Sequence, residues 1–413
     1  MDAVPAPAHK LVRIIALLCT TLLAVLLVQW VAADPIERLN TDWTAFDNAG
    51  DRFRAQDTIY RLPDVETEPF PYLYPPFALW LAVPLSWLGF WGSYAVSALV
   101  PLVAYVLGLG LFGRLGDGRQ DRTTGFVLAL ASGVAFGATL IGQYSGLYAL
   151  FLGAGAYLFT RDRRMLAGVV LALLWIKPNV AIAVPVVLVW SRSWKTLRGF
   201  GLGTVGLLLA SLPFGVGQWS AFAESARRMA ELQEEGLVPI DKMVTVLSSI
   251  QTNLGLEAEP TISIAIWLVV AGVLGVSVLV PWTRGRLADD PLRAFGALGL
   301  FVVAANPRLY FYDGALAAIG MYGVWLSAQR SGSAVEKRWL TIAGLMLWVG
   351  LWGAVWSGLN VFVGPVAGAA LVLVAVERVR SERVFDTDDN TDSRTKREIS
   401  EFPHQNTPEV EAA

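Results

Sequence analysis

Asn40-Thr-Asp42-Trp-Thr-Ala-Phe46-Asp47-Asn-Ala-Gly50 is the central part of a polar interruption, residues 34–76, that separates two hydrophobic blocks. The interruption closes with Tyr72-Leu-Tyr74-Pro75-Pro76-Phe77 and contains nine carboxylates and four arginines. A segment this polar is unstable in hydrocarbon, because an isolated charge there loses its hydration. We therefore expect residues 34–76 to form a loop outside the membrane, close to its surface.

The composition of the whole chain is typical of a membrane protein. The chain has 413 residues, of which 55% are hydrophobic and 16% charged, with sixteen tryptophans. Several apolar runs approach the roughly 20 residues that a helix needs to cross a bilayer, and in lipid the backbone groups of a helix are paired within its own segment. The sequence therefore predicts an all-α polytopic membrane protein. A net charge of −2 and the lack of a long basic run argue against nucleic-acid binding.

Cysteine and histidine usage excludes several kinds of site. Cys19 is the single cysteine, so no intrachain disulfide is possible. His9 and His404 both lie in tails, which excludes histidine zinc sites and Ser-His-Asp triads inside the bundle. No metal and no cofactor are expected.

The apolar runs predict about twelve membrane crossings. The predicted spans are 14–33, 93–111, 125–141, 144–160, 165–176, 179–190, 197–212, 262–282, 292–305, 309–328, 339–356 and 360–376. The run 75–89 is short, starts with two prolines and contains Pro84, so we expect it to lie in or dip into one face without crossing. A polar tail, residues 377–413, is expected to be disordered.

The positions of Lys and Arg predict the orientation, since basic loops stay in the cytoplasm. With twelve crossings the N-terminus and all basic clusters face the cytoplasm; the clusters contain Arg114, Arg119, Arg122, Arg161, Arg163, Arg164, Arg192, Lys195, Arg198, Arg284, Arg286, Arg293, Arg330, Lys337, Arg338, Arg378, Arg380 and Arg383. The unusual polar motifs then share the external face. They are Asp42, Tyr74-Pro75-Pro76, Gly142-Gln143-Tyr144, Lys177-Pro178-Asn179, the loop 215–258, and Asn306-Pro307-Arg308 with Asp313.

Two stretches of this face have the spacing of amphipathic helices. Trp43, Phe46, Gly50 and Phe53 recur at three- and four-residue steps, and so do Trp219, Phe222, Ala226 and Met229. We expect both to be interfacial helices lying on the membrane.

Each candidate functional residue also has a structural interpretation. Asp42 opens a predicted helix, where an N-cap is the simplest role. Asp47 and Asp51, four apart, could belong to a divalent-metal site or be solvated charges. Gln143 and Tyr144 could form only a turn, and Lys242 could be a solvated charge.

Two cations fit an anionic ligand. Lys177 lies between two short apolar runs, and a lysine facing lipid there would cost roughly 3 kcal/mol, so a recessed site for a phosphate competes with a snorkelling side chain. Arg308 either pairs with Asp313 or presents its guanidinium to a phosphate.

Several motifs together resemble glycosyltransferase family 87. Asp42-Trp-Thr-Ala-Phe46, followed by Ala49-Gly50 and Tyr60, is similar to the family's first external loop, and so is Tyr74-Pro-Pro-Phe-Ala-Leu-Trp-Leu-Ala-Val-Pro-Leu. The similarity continues at Gly142-Gln143-Tyr144, at Leu166-Ala-Gly168 through Ile176-Lys177-Pro178, at Trp219-Ser-Ala-Phe222, at Lys242-Met243, and from Pro307 to Tyr312-Asp313. The family consists of bacterial GT-C enzymes related to polyprenyl-phosphate-mannose-dependent mannosyltransferases.

The resemblance implies a GT-C-type catalytic domain, residues 1–376, in the bacterial plasma membrane with its active site facing the exterior. A sugar, in such enzymes mannose, would move from a polyprenyl phosphate to a hydroxyl of a lipid or glycan acceptor with inversion. Asp42 would be the general base, and Lys177 with Arg308 or Lys242 would stabilise the phosphate without an obligatory metal. The residues implied to line the substrate pocket are Asp47, Tyr74, Gln143, Tyr312 and Asp313.

A transporter or flippase of a lipid or lipid-linked sugar is the main alternative, because such proteins also have about twelve helices. Transporters usually show repeated halves and helices broken near the midplane, whereas this chain has no visible repeat and gathers its polar residues on one face. A non-catalytic scaffold is a third possibility, to which a buried lysine is poorly suited.

Overall fold

In the structure, a computed structural model, helices joined by turns and short extended stretches make up the described residues, which contain no β-strand; an isolated bridge joins Met243 and Tyr310. The structure describes residues 6–33, 43–64, 66, 71–116, 119–237, 242–256, 259–356 and 362–380. The helices of the first half are α1 (Ala6–Ala33), α2 (Thr44–Arg54), α3 (Leu79–Leu85), α4 (Gly89–Gly113), α5 (Arg119–Leu130), α6 (Gly133–Leu140), α7 (Ser145–Thr160), α8 (Arg164–Ala172), α9 (Pro178–Ala181) and α10 (Ala183–Trp190).

The second half continues with α11 (Trp194–Ala210), α12 (Gln218–Glu234), α13 (Val246–Asn253), α14 (Pro260–Leu279), α15 (Arg284–Asp289), α16 (Pro291–Ala305), α17 (Ala315–Ser331), α18 (Ala334–Trp356) and α19 (363–380). Short 3₁₀ segments lie at Pro76–Ala78, Leu173–Ile176, Leu212–Phe214 and Phe311–Gly314.

Among the described residues, four helical stretches are long and apolar enough to cross a membrane. These are Gly89–Gly113, Asp121–Leu140, Trp194–Phe214 and Thr261–Leu279. Five further apolar helices are shorter, namely Pro76–Leu85, Ser145–Thr160, Arg164–Ile176, Pro178–Trp190 and Pro291–Ala305. The structure confirms an all-helical protein with four candidate membrane spans among the described residues, and the count of twelve crossings stays a prediction.

The run predicted as one helix over 125–141 is divided into α5 and α6 at Ala131. The Ala131 carbonyl oxygen accepts hydrogen bonds from Thr20 Oγ1 at 3.1 Å, Trp348 Nε1 at 3.1 Å and Trp352 Nε1 at 2.8 Å. A carbonyl without a partner is costly in an apolar surrounding. These donors therefore stabilise the break and hold α1 and α18 against it.

Glycines permit the closest contacts between helices. A Cβ atom added at Gly199 of α11 would lie 1.9 Å from the Met165 carbonyl oxygen of α8, and one at Gly168 would lie 1.9 Å from the Thr196 carbonyl oxygen. Small residues let helix backbones approach each other, which increases van der Waals contact where lipid removes the hydrophobic driving force. The α8–α11 pair therefore depends on these two glycines.

The apolar face of α2 is covered by protein. Trp43, Phe46 and Ala49 are buried, and a Cβ atom at Gly50 would lie 2.4 Å from the carbonyl oxygen of Ala82 in α3. The sequence predicted this amphipathic helix, but it assigned the apolar stripe to the membrane surface. The stripe packs on α3 because the glycine and alanine in it let the two backbones meet.

The second amphipathic segment forms α12, and its aromatic residues also contact protein. The Phe222 ring lies 6.0 Å from that of Tyr60, and the Trp219 ring lies 6.4 Å from that of Phe77. These contacts place α12 over the segment that precedes α3. Its position relative to a bilayer stays a prediction.

Two predicted boundaries differ from the structure. The run predicted as a helix from residue 309 begins only at Ala315, because 309–314 form an extended stretch and a 3₁₀ turn. The last helix continues to residue 380, past the expected end at 376. The predicted disordered tail otherwise lies outside the described residues.

We expect Gly199→Val to lower the apparent melting temperature of the purified protein. Its side chain would meet the Met165 backbone, and overpacking of this kind costs roughly 1–3 kcal/mol. Gly201→Val in the same helix is the matched control, since no atom lies within 4 Å of a Cβ added at Gly201. Equal melting temperatures for the two variants would contradict this account of α8–α11 packing.

Candidate active site

Lys177 occupies a break between two helical segments. The 3₁₀ turn Leu173–Ile176 ends there, α9 begins at Pro178, and Lys177 has extended backbone angles (φ −131°, ψ 94°). A residue before proline is disfavoured in the α conformation by a steric clash with the proline ring, whereas proline suits the first position of a helix. The Lys-Pro dipeptide therefore produces the break at which the lysine side chain leaves the helix axis.

Lys177 forms an ion pair with Asp313, which lies 136 positions further along the chain. Lys177 Nζ is 2.5 Å from Asp313 Oδ2, and the Asp313 side chain is fully buried while that of Lys177 is 18% exposed. The Tyr310 backbone N–H also donates to Asp313 Oδ2, at 3.2 Å. Lys177 Nζ lies 5.2 Å from the centre of the Tyr312 ring, within range of a cation–π contact. Tyr312 and Asp313 therefore both contact the lysine.

Asp313 retains an unused acceptor. Its Oδ1 atom is buried and has no hydrogen-bond partner among the described residues. Burial raises the pKa of Asp313, and the positive charge and hydrogen bond of Lys177 oppose that rise. The sequence left open a pairing of Asp313 with Arg308, and the structure gives the carboxylate to Lys177 instead.

Hydrogen bonds fasten the start of α9 to the turn that carries Arg308. Asn306 Nδ2 donates to the Asn179 carbonyl at 2.8 Å, and Asn179 Nδ2 donates to the Arg308 carbonyl at 3.1 Å. The Arg308 side chain is half-buried and forms no ion pair with a described carboxylate. The guanidinium therefore retains its positive charge uncompensated beside the Lys177 break.

Lys242 is fixed next to the same loop by backbone pairing. The Phe311 N–H donates to the Lys242 carbonyl at 2.9 Å, and the Val244 N–H donates to the Leu309 carbonyl at 2.8 Å. The Lys242 side chain is exposed and has no salt-bridge partner among the described residues. The backbone of Lys242 therefore lies beside the loop that carries Asp313, through a short pairing that no spacing rule predicts.

The Gly-Gln turn contacts the Tyr-Pro-Pro segment directly. Tyr74 OH donates to Gln143 Oε1 at 2.9 Å, with both side chains buried. Gly142 has φ +66°, and a Cβ atom there would lie 2.5 Å from the Cβ of Trp43. Glycine is required at this position by both the backbone conformation and the close approach.

Aromatic rings connect these segments around Phe46. Its ring centre lies 5.4 Å from that of Tyr72, 4.4 Å from Tyr74 and 4.3 Å from Tyr144. The rings are tilted or edge-on, as aromatic pairs prefer. The segments that carry Phe46, Tyr72 and Tyr74 therefore share one buried aromatic cluster with the Gly-Gln turn.

Tyr148 is a site residue that the sequence reasoning missed. It is buried and lies close enough to both Tyr74 and Asp313 to interact with them electrostatically. Its position one helical turn after Tyr144 on α7 was the available signal.

Asp47 lies at the other edge of the aromatic cluster. The carboxylate is half-buried near Ser93 of α4, within electrostatic reach of Tyr144, and its Oδ1 has no hydrogen-bond partner among the described residues. Burial raises the pKa of Asp47, Ser93 lowers it, and Asp51 raises it. Asp47 therefore lies near Tyr144, and none of the described contacts joins Asp47 to the Lys177–Asp313 pair.

Asp42 lies outside the described residues, and its predicted role is untested. Its neighbour Trp43 is buried, and the Trp43 backbone N–H donates to the Ile141 carbonyl at 3.1 Å, immediately before the Gly142 turn. The part of the chain that the structure describes contains no group of three or more His, Cys, Asp or Glu residues that could hold a metal ion.

The site thus combines a buried ion pair, two further cations and a hydrogen-bonded Tyr–Gln pair. Of these three cations, only Lys177 is paired with a carboxylate, Asp313, in the described contacts, so an anion brought to these segments would meet a net positive charge. The amide and the hydroxyl groups can orient a polyhydroxylated ligand.

We expect Lys177→Met to destabilise the protein, because it leaves Asp313 buried without its counter-ion, at a cost of roughly 3 kcal/mol. The pKa of Asp313 then rises further above its unfolded value, so the native state binds the proton more tightly than the unfolded chain does. Stability therefore increases as the pH falls through that raised pKa. The melting temperature of Lys177→Met should be higher at pH 5 than at pH 8.

Lys177→Met combined with Asp313→Asn is the control, and it should recover much of the melting temperature that the single substitution loses. Additive losses from the two substitutions would show that the ion pair does not couple these segments.

The sequence profile of glycosyltransferase family 87 matches residues 72–307, more than half of the chain. Of the predicted site residues, the match includes Tyr74, Gln143, Lys177 and Lys242. No curated protein and no solved structure matches the chain significantly. The profile match and the membrane-spanning helices lead to one assignment: the chain belongs to glycosyltransferase family 87, whose members are membrane glycosyltransferases.

Proposed function

We propose that the protein transfers a sugar, mannose in the first instance, from a polyprenyl phosphate to an acceptor hydroxyl with inversion. The observation that carries the proposal is the Lys177–Asp313 pair, which lies beside the uncompensated charges of Lys242 and Arg308. Lysine and arginine side chains that are held in place stabilise the negative charge that develops on a leaving phosphate. Family membership supports the transferase class over the transporter alternative.

In this mechanism the acceptor oxygen attacks the anomeric carbon from the face opposite the phosphate. The bond from the anomeric carbon to the phosphate oxygen breaks as the new glycosidic bond forms, and the electron pair leaves with the polyprenyl phosphate. Asp42 takes the hydroxyl proton as general base, a role worth roughly 10²- to 10⁴-fold in rate. The resemblance of Asp42-Trp-Thr-Ala-Phe46 to the family's first external loop supports this assignment.

The cations stabilise the leaving phosphate. Lys177 is oriented by the buried Asp313, so its ammonium is already placed before the donor binds. Arg308 and Lys242 lie on backbone segments that are hydrogen-bonded to α9 and to the Phe311 loop. Charges held in place in this way need little reorganisation as the phosphate becomes more negative.

Polar side chains of the buried cluster would recognise the sugar and the acceptor. Tyr312 lies next to the ion pair, with its ring centre 5.2 Å from Lys177 Nζ. The Tyr74 hydroxyl donates to Gln143, and Tyr148 lies within electrostatic range of Tyr74 and Asp313. Asp47 lies on the Tyr144 side, where it would contact the acceptor. The positive-inside rule supports an active site that faces the exterior of a bacterial plasma membrane.

We expect Asp42→Asn to abolish sugar transfer, by at least about 10²-fold, without changing the melting temperature. The measurement is the release of polyprenyl phosphate from polyprenyl-phosphate mannose by the full chain in proteoliposomes that contain membrane lipid extract as acceptor. Asp51→Asn is the matched control, since Asp51 is exposed and paired with Arg54. Retained turnover in Asp42→Asn would eliminate Asp42 as the base.

A second prediction concerns the phosphate. Lys242→Gln and Arg308→Gln should each raise the KM for the donor roughly fivefold, because each removes about 1 kcal/mol of attraction to the lipid phosphate. Arg227→Gln, in the exposed Arg227–Glu231 pair of α12, is the control. Unchanged kinetics in both cation variants would place the phosphate elsewhere.

A further inference from the structure

A cavity of about 160 Å³ lies between α1, α5, α17 and α18, apart from the candidate active site. We call it the α1/α5/α17/α18 groove. Its lining is dominated by leucine, alanine and aromatic side chains, with a few hydroxyl and amide groups. Val12 of α1 and Leu340, Gly344 and Leu351 of α18 are among the residues that line it. Leu345 on its wall is 44% exposed, so the groove reaches the surface of the bundle.

The groove runs along α18, from Leu340 to Leu351. Eleven residue steps at 1.5 Å each give a length of about 16 Å. The hydrocarbon core of a bilayer is about 30 Å thick. The groove therefore has the length of one leaflet, which fits a phospholipid acyl chain and is short for an isoprenoid carrier.

The mouth of the groove lies at the basic end of the bundle. Lys337 precedes Leu340 and Thr341 by one helical turn, and Thr341 Oγ1 donates to the Lys337 carbonyl at 2.8 Å. Arg338 follows Lys337, and Lys10 lies half a turn before Val12 on α1. The Arg122 carbonyl of α5 accepts from Tyr322 OH at 3.0 Å, and Tyr322 lines the groove. Four cations therefore surround this end.

The acidic groups at the same end do not neutralise this charge. Glu336 is buried and pairs with Arg293, whose Nη1 is 3.0 Å from Glu336 Oε1. Asp290 pairs with Arg293 and Arg330. Asp121 of α5 and Arg13 of α1 also have interactions within the protein.

We infer that the α1/α5/α17/α18 groove binds an anionic glycerophospholipid of the leaflet on the basic side of the bundle. One acyl chain fills the groove, and the phosphate lies among Lys10, Arg122, Lys337 and Arg338. Basic pockets between membrane helices on the cytoplasmic side bind anionic headgroups in this manner. The inference is independent of the proposed transfer reaction, since it uses no residue of that site.

A lipid chain at the deep end of the groove would contact a residue that packs against the Asp313 loop. Leu351 lines that end, and it is the side chain nearest to a Cβ atom added at Gly314, at 2.5 Å. Gly314 directly follows Asp313. A chain in the groove would therefore support the packing of the loop that carries the ion pair.

The test uses the delipidated full-length protein and native mass spectrometry with dioleoylphosphatidylglycerol, dioleoylphosphatidylcholine or polyprenyl phosphate as the probe. We expect one phosphatidylglycerol to be retained at least tenfold more strongly than phosphatidylcholine. Gly344→Leu should abolish this preference by filling the groove, since the nearest atom to a Cβ there is 3.6 Å away, on the flexible Met321. Gly272→Leu, on an exposed face of α14, is the matched control.

Substitutions that remove positive charge test headgroup binding without changing the packing inside the groove. Lys337→Gln with Arg338→Gln should weaken phosphatidylglycerol binding roughly tenfold or more, at about 1 kcal/mol for each cation near the lipid surface. Lys195→Gln with Arg198→Gln, in a basic cluster on α11 away from the groove, should leave it unchanged. Melting temperatures confirm that each variant is folded.

Three results would overturn the inference. The first is equal binding of phosphatidylcholine, and the second is unchanged phosphatidylglycerol binding in folded Gly344→Leu or in the Lys337/Arg338 variant. The third is displacement of phosphatidylglycerol by stoichiometric polyprenyl phosphate, which would assign the groove to the donor chain.

Discussion

The buried ion pair between Lys177 and Asp313 is the interaction on which the site depends. It joins the break between α8 and α9 to the loop between α16 and α17, and each of these segments is otherwise a helix interruption in an apolar surrounding. Two opposite charges 2.5 Å apart offset much of the cost of burying either one. The pair therefore allows both interruptions to exist inside the bundle, and it leaves a cation beside them.

The remaining parts of the site are arranged around this pair by backbone contacts. The Asn179–Asn306 bonds and the Lys242–Phe311 pairing bring two more cations to the same loop. Backbone hydrogen bonds fix a segment without using its side chain, so these charges remain available to a ligand. The Tyr74–Gln143 bond and the rings around Phe46 close the other side.

Close packing of helices also supports the segments that carry the candidate site. Gly168 in α8 and Gly199 in α11 have no side chain that would separate the two backbones. At the break between α5 and α6, the Ala131 carbonyl oxygen accepts three hydrogen bonds. Lipid supplies no hydrophobic force between helices. Small residues and hydrogen bonds at helix interruptions therefore carry the packing that positions the candidate site.

The sequence by itself determined the helical class, the apolar helices and the family, because apolar runs and short motifs are local properties. It determined where helices break at Lys177-Pro178, since proline acts on its immediate neighbour. Only the tertiary structure decided that Asp313 pairs with Lys177 and not with Arg308, that Tyr148 is buried near Asp313, and that the stripe of α2 packs on α3. Those outcomes depend on contacts between segments far apart in the chain, and no local pattern encodes which of several possible partners will be nearest.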